Sequence, residues 1–466
     1  MSDGRLRNPV TVLIPTGALG AGVVESEVAY GIARGAEVIA ADAGSTDSGA
    51  AYLALGVAKY NRGAVRRDLE ILIRLAWPRR IPILIGTSGQ AGADANVDWL
   101  REIAVEIADE LGIAPRIACL HSEISGARLK RFIREGRVAP LAPARPLKSA
   151  DVDACDRIVA VLGPEPYIAA LRAGADIVLG GRTSDPAVIA AFPIMKGAGL
   201  AASWHAGKIA ECGGLSSDSH KPGSGVLVGV GADGFTIEPL DLAARCSVRS
   251  VSAHMAYENA NPFRLTEPGG VLDVTCARYE QRGERMVSVH GAKWTPQPYT
   301  LKIEGAGARQ FQTIMLIGIQ DPLVLGDPEA FHDRMHAALV RRVEETMGPE
   351  AGEFDISLRL YGWNAVSGEQ VSQGTPSPRE IGVLFVATAR TQLLATQIAK
   401  ACNPVFFHLA MPGHSEMPSY AFPFSPAYVP RGPVFEFLLN HVVTVGDPME
   451  LVRFQWTRPG FAETGQ

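Results

Sequence analysis

The sequence is poor in the features that would send it to a membrane, a nucleic acid or an oxidising compartment. Its longest apolar runs, such as VTVLIP and IPILIG, fall far short of the roughly 20 residues a membrane-spanning helix needs. The opening MSDGRLRNP has no apolar core of the secretory type, so a cytoplasmic location is expected. Only six cysteines occur in 466 residues, scattered and never as a CxxC pair. They read as reduced thiols, not as a disulfide framework or a zinc knuckle. No basic run is longer than KRFIREGR, and 44 Lys and Arg stand against 49 Asp and Glu, a net charge of −5. Phosphate binding needs a concentrated positive surface, so nucleic acid is not an expected partner. No GxxxxGK[ST] loop and no internal repeat are present.

What is present is the balance of a globular protein, with 47% hydrophobic and 20% charged residues in a chain long enough for two domains. Through the first half, short apolar runs alternate with helical stretches. The runs are VTVLIP, EVIAAD, IPILIG, RIACLH, RIVAVLG and DIVLGG; the helical stretches are 23–34, 66–76, 95–111 and 165–173. That alternation predicts an α/β fold, a parallel sheet with helices on both faces, over 1–235. After about residue 236 the strands follow one another more closely, which predicts a smaller α+β domain over 236–466. In it YTLKIEGAG and FQTIMLIGIQD read as a hairpin, 328–346 and 391–402 as helices, and FDISLRLYGWN and IGVLFVATAR as strands. The Pro-rich tail PGHSEMPSYAFPFSPAYVPRGP is expected to form no regular element.

In parallel sheets the ligand site lies beyond the carboxyl ends of the strands. The segments there are TGALGAG, DAGSTDSG, GTSGQAGAD, HSEISG and GGRTSD, all rich in Gly, Ser, Thr and Asp. Such residues make good turns, and they also allow close backbone approach and hydrogen bonding to a ligand. Candidate binding residues are Gly17, Gly20, Asp42, Ser45, Thr46, Asp47, Arg182 and Asp185. Arg182 is placed to grip an anion or to pair with Asp185. A dinucleotide fingerprint fits poorly, because Gly17, Gly20 and Gly22 give GxxGxG and Glu25 stands where a close-packing glycine belongs. Asp42 would be the ribose-binding acid in that arrangement.

SWHAGKIAECGG, residues 203–214, puts a His, a Lys, a Glu and a Cys within eight positions. At a helical step of about 100°, His205, Lys208 and Cys212 share one side and Glu211 stands about 120° from His205. Lys208 and Glu211 also fit a plain surface ion pair, and Cys212 a small buried residue. A second polar cluster, SAHMAYENANPFRLTEPGGVLD, offers His254, Tyr257, Glu258, Asn259 and Glu267 as acids, bases or hydrogen-bonding groups.

Together DAGSTDSG, GTSGQAGAD, GGRTSDPAV, WHAGKIAECG, AHMAYENANPF with EPGGVLD, and ARTQLLATQIAKACNP followed by MPG resemble the acyclic terpene utilization (AtuA-like) family from about residue 10 to about 445. The resemblance implies bacterial catabolism of acyclic terpenes or of branched or dicarboxylic acids, with DAGSTDSG marking a variant rather than the terpene-pathway type. It also raises WHAGKIAECG to a family hallmark. The expected activity is a lyase or hydratase on a carboxylate or its CoA thioester. Arg182 and the glycine loops would hold the anion, Lys208 would neutralise enolate charge, and His205, Glu211 or His254 would move the proton. Asp42 and Asp47 are the expected holders of a divalent cation, if one is used. The alternatives are a nucleotide-cofactor oxidoreductase and a non-catalytic ligand-binding subunit of a multienzyme assembly. The expected partners are the small-molecule substrate and further copies of the chain, with a small partner subunit as a variant of that expectation.

Overall fold

The computed structural model describes residues 9–460 apart from 45, 219, 220, 222, 258–260, 370, 373, 374, 419 and the side chain of 408. The chain divides into two compact units. One extends to Gly307 and resumes at Phe437; the other is Ala308–Glu436.

The first unit contains β1 (Val10–Ile14), β2 (Val38–Asp42), β3 (Ile83–Gly86), β4 (Ile117–His121), β5 (Val138–Pro140), β6 (Arg157–Ala160), β7 (Ile177–Gly180), β8 (Val226–Val230) and β9 (Gly234–Pro239). β1, β2, β3, β7 and β4 lie side by side and parallel, in that order. These strands are short, nearly unbroken apolar runs because both faces of the sheet are covered. Val12, Ile14, Val38 and Ala40 pack on the side of the helices Asp185–Met195 and Leu200–Ala210. Leu13, Ile39 and Ala41 pack on the side of the helices Glu25–Ala33, Arg62–Ala76 and Asp94–Leu111. The parallel α/β architecture with helices on both faces is therefore present, followed by a smaller sheet-rich region.

Several details differ from the sequence-based expectation, each for a physical reason. β6 does not join the parallel sheet: it pairs antiparallel with residues 303–306 of the strand Thr300–Ile319, because the place beside β4 is taken by the C-terminal strand Arg453–Thr457. The change of rhythm near residue 236 marks a change of strand direction in one sheet. β8 runs antiparallel to β1 and β9 to β8, and Met286–His290 and Arg278–Arg282 extend the same sheet further. The first unit thus runs well past 235, to Gly307.

In the second unit, residues 311–319 of Thr300–Ile319 pair antiparallel with Ile381–Ala389, which pairs with Phe354–Tyr361. The helices Pro328–Met347 and Gln392–His408 cover this sheet around Phe331, Met335, Phe385 and Phe406. The expected hairpin is a single strand of 20 residues. Its glycines do not turn; they admit close neighbours, since a Cβ on Gly307 would lie 2.1 Å from the Ala154 carbonyl oxygen and one on Gly305 2.6 Å from Leu439. Part of the Pro-rich tail is regular after all. The strand Tyr428–Thr444 includes Pro430 and Pro433 in its less buried first half, where a missing N–H is tolerated.

Candidate functional site

The loops at the carboxyl ends of β2, β3, β4 and β7 are laced together by their own backbones. Ala43 N–H donates to Gly86 O (2.9 Å), Thr87 N–H to Gly181 O (3.1 Å), and Arg182 N–H to Gly92 O (3.0 Å) and Ser122 Oγ (3.1 Å). Gly92 has φ +65°, and a Cβ there would meet the Arg182 nitrogen at 2.2 Å. Thr87 has φ +45°, a strained conformation for a β-branched residue of the kind that concentrates at functional sites. Its hydroxyl accepts from Thr183 N–H and from Arg182 Nη1, both at 3.3 Å.

A cavity of about 630 Å³ opens beside this lacework, lined within the first unit by Arg182, Ser184, Asp185, Lys208, Glu211 and Glu267, with Asp47 and Lys302 at other points. Its remaining wall includes the apolar Leu141, Val161, Leu265 and Val442. Ser184 and Asp185 come from the start of the helix Asp185–Met195. Lys208 and Glu211 come from the end of Leu200–Ala210, and Glu267 from the tight connection between the strands Arg264–Glu267 and Gly270–Asp273.

Arg182 is buried and committed to protein groups: Nε donates to Glu304 (3.1 Å), and Nη1 to Asp185 (3.0 Å) and to the Thr183 carbonyl (2.7 Å). Burial works against its charge, but Glu304, Asp185 and Asp42 outweigh burial and hold it firmly protonated. Burial alone would raise Glu304; Arg182 and Lys302, whose Nζ lies 2.9 Å away, bring it down to about 2. The anion grip expected of Arg182 is thus directed at Glu304 and Asp185.

Lys208 and Glu211 form a buried ion pair, not a surface one. Burial pushes the Glu211 carboxyl up, and its Oε2 has no hydrogen-bond partner among the described residues. Glu267 accepts a hydrogen bond of 2.6 Å from Ser184 Oγ. Burial, with Asp185 adding to it, pushes Glu267 up to about 7, against the opposing pull of Ser184 and Lys208. His254 is buried and its ring stacks on Tyr257 (centroids 5.6 Å apart). Burial and then the Lys208 charge bring its imidazole down to about 4, so it is neutral at physiological pH.

Several expected site residues stand elsewhere. His205 faces the core: it packs edge-on against Phe235, with Nε2 3.2 Å from the Tyr279 hydroxyl, and burial brings it down to about 3. A group so held moves no proton near neutrality, so His205 is a packing residue. Asp42 sits behind the cavity, accepting from Gly44 N–H (3.1 Å), its carboxyl raised by burial and then by Asp185. Thr46 is buried in the short turn Thr46–Ser48. Ser45, Glu258 and Asn259 lie outside the described residues.

Gly17 and Gly20 serve the protein itself. The N–H groups of Gly20, Gly22 and Val23 all donate to the Asp68 carboxylate at 3.0 Å. This is the arrangement with which a glycine loop binds phosphate, filled here by an internal anion. Gly17 lies against the next segment, since a Cβ there would meet the Cys212 carbonyl oxygen at 2.7 Å. A dinucleotide pyrophosphate would need the place Asp68 occupies.

Sequence reasoning grouped Glu267 with several polar neighbours but did not pair it with Ser184, 83 residues away. Glu304, Lys302 and Asp68 carried no local signal, because each acts on a partner brought close only by the fold.

The family model described as acyclic terpene utilisation family protein AtuA matches residues 39–434. This chain belongs to that family. The matched span contains Arg182, Ser184, Lys208, Glu211, Glu267 and Lys302, and membership fits a catabolic role. No curated protein and no solved structure matches the chain significantly. No helix among the described residues is long and apolar enough to cross a membrane.

Proposed function

We propose that this AtuA-family chain is a lyase or hydratase that moves the proton α to the carbonyl of a branched acyclic carboxylate or its CoA thioester. The observation that carries the reading is Glu267. It is a carboxyl group poised near neutrality, in a cavity that also holds the Lys208 ammonium. A general acid–base group works best with a pKa near the operating pH. Glu267 takes the α-proton, the electron pair moves to the carbonyl oxygen, and Lys208 stabilises the enolate charge. As the enolate collapses to a double bond, the β-hydroxyl leaves and takes the proton back from Glu267 as water. Hydration is the reverse. Lys302, 43% exposed, suits an anionic group of the substrate, and Leu141, Val161, Leu265 and Val442 suit an acyl tail.

The test is solvent exchange. The protein is incubated in D2O with a panel of short branched acids and their CoA thioesters, and deuterium at the α-carbon is followed by NMR. The proposal expects exchange with at least one class and its loss, by about 100-fold or more, in Glu267→Gln. Binding without exchange would favour the ligand-binding subunit. Released NAD(P) or a flavin spectrum in the purified protein would favour an oxidoreductase.

A further inference from the structure

We infer that Glu211, Cys212 and His254 form a binding site for a single transition-metal ion of borderline softness, with zinc-like preferences, on the inner side of the Lys208–Glu211 pair. One ligand atom from each residue lies within 4.8 Å of the other two. Tetrahedral geometry at ordinary Zn–S and Zn–N lengths separates ligand atoms by about 3.3–3.8 Å, so closure around an ion needs about an ångström of side-chain movement.

Two further observations point to a ligand. Glu211 Oε2 and His254 Nε2 are both buried, on side chains more than nine-tenths buried, and neither has a hydrogen-bond partner among the described residues. An orphaned buried polar atom is costly and calls for an explanation. A metal ion satisfies a carboxylate oxygen and a neutral imidazole nitrogen together. The scaffold is also stiff. Cys212 follows directly on Glu211 at the end of the helix, and its backbone is wedged by Gly17, where no Cβ fits.

The donor set selects the metal. A thiolate, an imidazole and a carboxylate suit Zn²⁺, Co²⁺ or Fe²⁺ better than Mg²⁺ or Ca²⁺, which prefer all-oxygen shells. Binding releases the Cys212 thiol proton to solvent and forms the metal–sulfur bond. The ion's two positive charges meet one carboxylate and one thiolate, and with Lys208, whose Nζ donates to Glu211 Oε1, the loaded cluster carries one net positive charge. Three protein ligands leave a fourth position open. This site differs from the cation site that Asp42 and Asp47 would have formed, and it does not depend on the proton-transfer reading.

The experiment uses the full chain, stripped with a chelator and titrated with Co²⁺ and, separately, with Zn²⁺ by calorimetry. Expected are one equivalent bound, a near-ultraviolet thiolate-to-cobalt absorption and d–d bands of tetrahedral intensity, with Zn²⁺ displacing Co²⁺. Cys212→Ser should abolish the thiolate band, and His254→Ala should weaken binding by about 100-fold or more, beyond what loss of an outer-shell partner costs. The wild-type spectrum decides even where a variant misfolds. Absence of a thiolate band on the Co²⁺ protein, or unchanged affinity in both folded variants, overturns the proposal. Because the readout is binding, α-proton exchange can fail while metal binding stands, and the reverse.

Discussion

Two glycine-bearing loops follow strands of the same parallel sheet and have opposite fates. The loop after β1 offers three converging N–H groups, and the protein fills that cradle with Asp68. The loop after β7 is also bound to protein carboxylates through Arg182, yet Ser184 and Asp185, just beyond Thr183, open on the cavity. A glycine-rich loop at a sheet edge marks a place where backbone donors gather. Which anion they meet is decided by a side chain elsewhere in the chain. In one loop the anion is internal, and the loop is structural; at the other, charged groups from five separate segments remain around open space.

The comparison breaks most visibly at Asp68. Asp68→Ala leaves three N–H groups, that of Val23 buried and those of Gly20 and Gly22 part-buried, without their acceptor, at roughly 1–3 kcal/mol each before any compensation by water. A loss of about 3–5 kcal/mol in urea unfolding is expected, with exchange activity per folded molecule unchanged. A nucleotide that restored stability to the variant would mean that the loop is a vacated ligand site.

Lys208→Met should act the other way. It removes the cation facing the cavity, and exchange should fall by about 100-fold. Its effect on stability should be smaller than that of Asp68→Ala, because the abandoned Glu211 carboxyl is already raised by burial and protonates. Near-native exchange would return the pair to a purely structural role.

Glu267 sharpens the comparison through pH. Its folded-state pKa of about 7 lies above the ordinary 4.5. Between those values the folded protein keeps a proton that the unfolded chain has released, so stability falls as pH rises through that window. Glu267→Gln removes this dependence. Relative to wild type it should gain about 3 kcal/mol between pH 4.5 and pH 8, measured by denaturant unfolding at each pH. The smallest effect belongs far from both loops. Arg390 and Glu353 pair at 2.9 Å but are 73% and 77% exposed, so Glu353→Gln should leave both stability and exchange nearly unchanged.

Much of the fold was legible in the sequence because both faces of the sheet are covered. VTVLIP, EVIAAD, IPILIG, RIACLH and DIVLGG are nearly unbroken apolar runs, and the strands fall within one or two residues of them. RIVAVLG looked the same and went to another partner, since sheet membership depends on which edge is vacant. In WHAGKIAECG the pairing of Lys208 with Glu211 was visible in the spacing. The separation of His205 from them was not: the boundary between core and cavity crosses the helix between neighbouring side chains, and Phe235 and Tyr279, which claim His205, come from strands that follow it. Glu267 stood out only as one of several polar residues until Ser184 and Lys208 were placed around it.

The account's central claim is that Glu267 is held near neutrality in the cavity, ready to take and return a proton. Titration of protein carrying ¹³C-labelled glutamate carboxyls, followed by NMR and compared with Glu267→Gln, tests it most directly. A carboxyl resonance that titrates near pH 7 in the wild type and is missing from the variant is the predicted result. If the resonance lost in the variant titrates near 4.5, Glu267 is an ordinary anion and the proton-transfer account is contradicted.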